Sequence, residues 1–170
     1  MRLDRTKKLC LAAVLCGTAV AGSLLSFPIA GSKCAPVQHM VNILCAVLLG
    51  PGYGVGAAFT ASLLRNLLGL GSPLAFPGSM CGALLCALAY RRTKGIALTL
   101  AAEVLGTAVL GGLCAYPVAI LVMGQSTGEI AFWAYVIPFF LSTAAGAALS
   151  GLLLGALKKT GVLERLTGED

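Results

Sequence analysis

Glu103 is the one acidic residue inside an apolar stretch of this 170-residue chain, and Arg65 is the one basic residue so placed. An ionisable group within a membrane helix costs on the order of 3 kcal/mol unless paired or hydrated, so Glu103 should face a protein interior. Counted along helices from the same membrane side, Glu103 lies roughly 12 Å deep and Arg65 roughly 18 Å deep. The difference of about 6 Å is within the reach of an arginine side chain. Two readings stand: an Arg65–Glu103 ion pair, or direct contact of either residue with a ligand. His39 and Asn42 are three residues apart and share one helical face. They suit a polar heteroaromatic ligand, or equally a loop cap around a satisfied imidazole. Asn66, Ser79, Tyr116, Trp133 and Tyr135 are further polar or aromatic candidates for the same half of the molecule.

The chemistry that is missing narrows the function. The chain has no Walker A sequence, no HExxH, no GxSxG and no paired acidic residues. Ser79 and His39 are the one conceivable hydrolytic dyad, and nothing in their spacing fixes a geometry. The expectation is a non-enzyme, with neither metal nor cofactor of its own. Any active transport would then draw its energy from ATPase partners.

Six apolar runs must position these residues, at about 9–27, 37–50, 53–70, 77–90, 95–123 and 132–157. The second and fourth have about 14 residues each, roughly 21 Å as helix, and border Gly- and Pro-rich loops. Short spans of that kind are tolerated where protein covers them or where they line a cavity, which points to a pocket open at the outer face. The fifth would reach about 43 Å against a hydrocarbon core of about 30 Å. A tilt, or a break near Gly111-Gly112 or Pro117, is expected. Trp133 and Tyr135 at the start of the sixth suit interfacial anchors.

Charge gives the orientation. Ten of the twelve Lys and Arg residues fall in three places: Arg2, Arg5, Lys7 and Lys8; Arg91, Arg92 and Lys94; Lys158, Lys159 and Arg165. Positive residues are retained on the cytoplasmic side. Six spans with both termini cytoplasmic satisfy all three clusters and leave Lys33 and Glu129 in outer loops. A hydrophobic share of 58%, a charged share of 11% and a mean hydropathy of +0.94 exclude an ordinary soluble domain. The net charge of +6 does not signal nucleic acid, because the cations flank apolar runs and no aromatic residues interleave them. One all-α integral membrane domain over 1–170, multi-pass in the cell membrane, is the expected architecture.

The first run also ends like a secretory signal, at Ala19-x-Ala21, and its removal would leave the other orientations intact. Its small residues argue for retention. Ala13, Gly17 and Ala21 recur every four positions, a stripe that lets another helix approach closely. That helix can belong to this bundle or to a partner. The seven cysteines show neither CxxC spacing nor clustering and read as small fillers of helix contacts.

Several blocks carry a family likeness: Pro36-x-x-His39-x-x-Asn42, Leu49-Gly50-Pro51, Arg65-Asn66, Ala75-Phe76-Pro77-Gly78-Ser79-Met80-x-Gly82-Ala83, Glu103-x-x-Gly106-Thr107, and Gly111-Gly112 before Tyr116-Pro117. From about Lys7 to Lys158 the chain resembles the ThiW family, substrate-binding (S) components of energy-coupling-factor (ECF) vitamin transporters. The resemblance implies a six-helix protein that captures hydroxyethylthiazole, the thiazole precursor of thiamin, on its outer face. It implies delivery to one transmembrane coupling subunit and two ATPase subunits. Related S components dock through an AxxxA motif on the first helix, which the Ala13–Gly17–Ala21 stripe matches with one glycine substituted. A neutral, flat ligand would need an aromatic wall and a few hydrogen bonds. His39, Asn42 or Asn66 suit the ring nitrogen, Ser79 or Glu103 the hydroxyl, and Tyr116 and Trp133 the walls. Intact thiamin or the pyrimidine precursor as cargo, and a stand-alone channel or facilitator, are the alternatives.

Overall fold

A computed structural model describes residues 4–29, 32–128 and 130–167. Arg2 and Glu129, assigned above to the first basic cluster and to an outer loop, lie outside the described residues. Among the described residues the regular structure is helical apart from one small hairpin. Helix α1 spans Arg5–Gly22, capped by Asp4, whose carboxylate accepts from the Lys7 amide at 2.8 Å. A short 3-10 turn, Ser23–Leu25, leads into strands β1 (Phe27–Ile29) and β2 (Ser32–Cys34), which pair antiparallel. Then follow α2 (Pro36–Leu48), α3 (Pro51–Leu67), α4 (Ala75–Thr93), α5 (Ile96–Leu105), α6 (Gly112–Leu121), α7 (Val136–Lys159) and α8 (Val162–Thr167). Three helical stretches are long and apolar enough to cross a membrane: Arg5–Leu25, Ile96–Leu121 and Val136–Lys159.

Local sequence explains the joints. Proline opens α2 and α3 as their first residue, where its missing N–H breaks no helical bond. Gly50 holds φ +86 between those helices, a backbone state that disfavours any side chain, so the chain reverses within one residue. The 95–123 run is not broken. A π-helical turn at Gly106–Gly111 joins α5 to α6, and Pro117 sits inside α6. Glycine packing accounts for the place of that turn. A Cβ on Gly106 would stand 2.9 Å from the Cys81 carbonyl oxygen, and one on Gly111 would stand 2.5 Å from the Gly78 Cα. The backbones of α4 and of the π turn therefore touch, and the widened turn fits against α4.

Helix α2 is the centre of the bundle, with nine of its thirteen residues buried. It packs on α1, α3, α4 and α7. One end of the bundle gathers the C-terminus of α2, the start of α3 and the end of α4. Lys8, Arg91, Lys94 and Thr167 border a shallow basin there. Leu163 of α8 is buried in the same cluster as Tyr90, so the chain's last helix closes that end too. The hairpin, the N-termini of α2 and α4 and the C-terminus of α3 meet at the opposite end. Cys16, Cys34, Cys45 and Cys86 are buried, whereas Cys10 and Cys114 are exposed.

Candidate functional site

The hairpin end holds a cavity bordered by Gln38 and His39 of α2, Arg65 of α3, Gly78 and Ser79 of α4, Thr107 of the π turn, and Phe139 and Ser142 of α7. Lys33 and Ala35 border it from the hairpin side. The cleft and the open space at its mouth together hold about 420 Å³ free of atoms, of which the cavity proper is about 30 Å³. That cavity is far smaller than an ordinary small-molecule site, so the cleft must widen to hold a ligand.

Its floor is a network around Glu103, which is 0% exposed. The Asn42 amide donates to Glu103 Oε1 at 2.9 Å and also to the Ser79 carbonyl at 3.1 Å. The Thr107 hydroxyl, one turn beyond Glu103, donates to the same oxygen at 3.3 Å. His39 Nδ1 lies 3.1 Å from it. Because Oε1 already accepts two donors, the contact is satisfied by the Nδ1–H form of the imidazole, which leaves Nε2 for the cavity. Beside this floor the hydroxyls of Ser62 and Ser79 meet at 2.9 Å. Gly82 makes the network possible, since a Cβ there would collide with Thr107 Oγ1 and the Glu103 carboxyl. Gly146 of α7 does the same for His39, whose Cβ would be 2.7 Å from an added methyl.

Arg65 does not pair with Glu103, contrary to the ion pair weighed from depth alone. Its Nη1 donates to Gln38 Oε1 at 3.3 Å, and Glu103 is taken by His39, Asn42 and Thr107. The reason is azimuth. Helix α3 packs on α2 and α4, and α5 packs on α4, α7 and α2, so α2 presents Gln38 to one residue and His39 with Asn42 to the other. Four polar atoms in this region are buried without a partner: Gln38 Nε2, Asn42 Oδ1, Arg65 Nε and Glu103 Oε2. Each such group costs about 1–3 kcal/mol when left unsatisfied, and a cluster of them beside a cleft marks a place that a ligand completes.

The rim is fastened from three sides. Lys33 Nζ donates to the Gly69 carbonyl at 3.0 Å, tying the hairpin to the end of α3. The Ala35 amide donates to Ser142 Oγ at 2.9 Å, tying it to α7. Asn66 lies behind the wall, where its amide donates to the carbonyls of Ser62 and Ser72 and folds the α3–α4 loop.

The model of the thiamine-precursor transporter protein (ThiW) family matches residues 9–160. The chain belongs to the ThiW family. Transport of a small molecule across a membrane is therefore its class of function, in keeping with its apolar helices. Neither the curated proteins searched nor the solved structures searched contain a match.

Within this ThiW chain, His39, Arg65 and Ser79 come together on the cavity wall, with Asn42 and Glu103 directly beneath. Tyr116 and Trp133 are elsewhere. Tyr116 packs edge-on against Phe132 at 6.3 Å, and Trp133 is 57% exposed. Phe139 is the aromatic ring on the wall. Tyr135, expected as an interfacial anchor, is buried and donates to Gln125 Oε1 at 2.7 Å. Sequence reasoning also missed Gln38, Ser62 and Ser142. A usable signal existed for Ser62, which lies one helical turn before Arg65, but none for Ser142 on a distant helix.

On α1 the two sides differ. Ala12, Cys16 and Ala19 are buried against α2 and α3, while Ala13, Gly17 and Ala21 are exposed. Ala13 and Gly17 border an open groove whose far side is Gly52, Gly56 and Thr60 of α3.

Proposed function

We propose that this chain is the substrate-capture S component of an ECF-type importer, taking hydroxyethylthiazole at the cavity beneath the hairpin. The observation that carries the reading is the nearly closed cleft with four unpartnered polar atoms around it, in a chain of a thiamine-precursor transporter family. His39 Nε2, Gln38 Nε2 and Arg65 Nε offer hydrogen bonds to a small heteroaromatic and its hydroxyl, and Phe139 offers an apolar wall.

The same reading has six membrane-crossing helices, with the stretch α5–α6 counted as one, both termini in the cytoplasm and the cavity outside. Its support is the gathering of Lys8, Arg91 and Lys94 at the end opposite the cavity. The chain then sits in the cell membrane, and the hairpin acts as the outer cover. Ligand shifts the cover toward its closed form by binding that form better. The exposed Ala13–Gly17–Ala21 face docks on a transmembrane coupling subunit driven by two ATPase subunits. The chain needs no catalytic residue and no cofactor for this work.

Calorimetric titration of the purified chain with hydroxyethylthiazole, thiamin and hydroxymethylpyrimidine tests the reading; calorimetry suits it better than tryptophan fluorescence, because Trp133 is exposed and does not border the cavity. Selective, tight binding of the thiazole is expected. Tight binding of another of the three corrects the cargo, and binding of none removes the capture role. Co-purification with ATPase subunits separates an importer from a stand-alone facilitator.

A further inference from the structure

Resting on that capture reading, we propose that the cavity sorts ligands by charge, admitting neutral or anionic thiazoles and refusing thiazolium cations, with Arg65 as the specificity-determining residue. Arg65 is 2% exposed and borders the cavity. The one hydrogen-bond partner of its guanidinium among the described residues is the neutral Gln38 amide, and its Nε has none. A guanidinium does not escape burial by losing its proton, so its charge stays on the wall. The carbonyl end of α3 offsets part of that charge, at most about half a unit.

The other charged side chain among the described residues that border the cavity has the same sign. Lys33 stands at the mouth, fixed to Gly69. The first turns of α2 and α4 reach the wall through Gln38, His39, Ala75 and Gly78, and helix N-termini carry partial positive charge. No described residue bordering the cavity is acidic. Glu103, the acidic group at the floor, lies behind His39 and Asn42 with its Oε1 shared among three donors and its Oε2 unpartnered, so it offsets part of the positive charge from below. Of the four unpartnered atoms, the two on residues that border the cavity, Arg65 Nε and Gln38 Nε2, are donors, while Asn42 Oδ1 and Glu103 Oε2 beneath are acceptors. A ligand against the wall therefore brings acceptors: a ring nitrogen lone pair, a hydroxyl oxygen or a carboxylate. A quaternary ring nitrogen fails twice, because it adds a positive charge and removes the lone pair. Intact thiamin has such a nitrogen.

The scale follows from Coulomb's law. A unit cation held about 6 Å from the guanidinium at an effective dielectric constant of about 20 loses roughly 100-fold in affinity.

The test is a charge series on one ring, titrated calorimetrically into the full chain: hydroxyethylthiazole, its N-methyl thiazolium, and 4-methylthiazole-5-acetate as the anion. The wild type is expected to bind the neutral compound roughly 100-fold tighter than the cation, and the anion at least as well as the neutral compound. Arg65→Gln keeps a hydrogen-bonding side chain; it is expected to cut the neutral-to-cation ratio to about tenfold or less and to weaken the anion most. Arg65→Lys keeps the charge and is expected to keep the ratio; Arg65→Met, neutral and of similar length, is expected to lose it and serves if Arg65→Gln does not fold. Equal binding of cation and neutral compound by the wild type overturns the proposal and leaves thiazole capture standing. An unchanged ratio in folded Arg65→Gln, or a ratio lost in folded Arg65→Lys, overturns it as well. Failure of the wild type to bind any of the three removes the capture reading itself, and the charge filter with it.

Discussion

Two sets of glycines in this molecule behave oppositely. At the seam of α4 with the π turn, and where α7 meets α2, glycine is required by contacts within the chain. Added methyl groups on Gly82, Gly106, Gly111 and Gly146 would all fall within 3.0 Å of other atoms or closer. On the α1–α3 face, Gly17, Gly52 and Gly56 have nothing within 4 Å of the same construction. Small residues in the first set let helix backbones touch and hold Glu103, Thr107 and His39 in register. In the second set nothing among the described residues uses the smallness. Glycine in an exposed helix interior costs about 1 kcal/mol relative to alanine, so that surface keeps an expense without an internal return. A partner helix lying in the groove would supply the return.

The largest expected effect breaks the first set. Gly82→Ala drives a methyl into Thr107 and Glu103, and overpacking of a tight seam costs about 3 kcal/mol. Thermal unfolding in detergent should show a clear loss, and calorimetry should show thiazole binding abolished. Gly17→Ala is the matched control and should leave both within experimental error of the wild type or slightly raise stability. The next effect breaks the second set. Gly17→Leu should unfold and bind ligand as the wild type does, while uptake by cells carrying the coupling module falls on the order of tenfold. Normal uptake by that variant would remove α1 as the docking face.

How far the sequence could be read differs between these regions for a physical reason. Periodicity along one helix is local, so the exposed Ala13, Gly17 and Ala21 were recognisable as one stripe, and His39 with Asn42 as one face. Distance along one helix is local too, because rise per residue is constant. Which way a side chain points around a helix axis, relative to another helix, depends on packing that no single segment encodes. That is why Arg65 and Glu103, expected about 6 Å apart in depth, meet different residues of α2 and not each other, and why Phe139 rather than Tyr116 or Trp133 reaches the cavity. In the fifth run, where a tilt or a break was expected, a π turn stands for a related reason. Gly106 and Gly111 mark close approach, and whether a helix kinks or widens there is decided by α4.

A smaller effect sharpens the reading of the cavity floor. Double-mutant cycles on thiazole binding and on stability should find coupling of about 1–2 kcal/mol between His39 and Glu103. Between Arg65 and Glu103 the coupling should be below about 0.5 kcal/mol, and the charge-swapped pair should not rescue either single variant. Strong coupling of Arg65 with Glu103 would mean that the two meet in a state other than this one.

The smallest expected effect concerns the cover. Lys33 Nζ holds the Gly69 carbonyl from an exposed position, so water competes for the bond, and its loss is worth about 1 kcal/mol or less. Lys33→Ala should therefore leave unfolding unchanged and speed thiazole release by roughly three- to fivefold, with little change in the rate of capture. The direction matters more than the size. If the hairpin covers a loaded cavity, weakening its tie acts on escape, because the tie is complete only when the cover is down. If the same variant slowed capture and left release untouched, Lys33 would be steering ligand toward the mouth, and the hairpin would be a rim around the cavity.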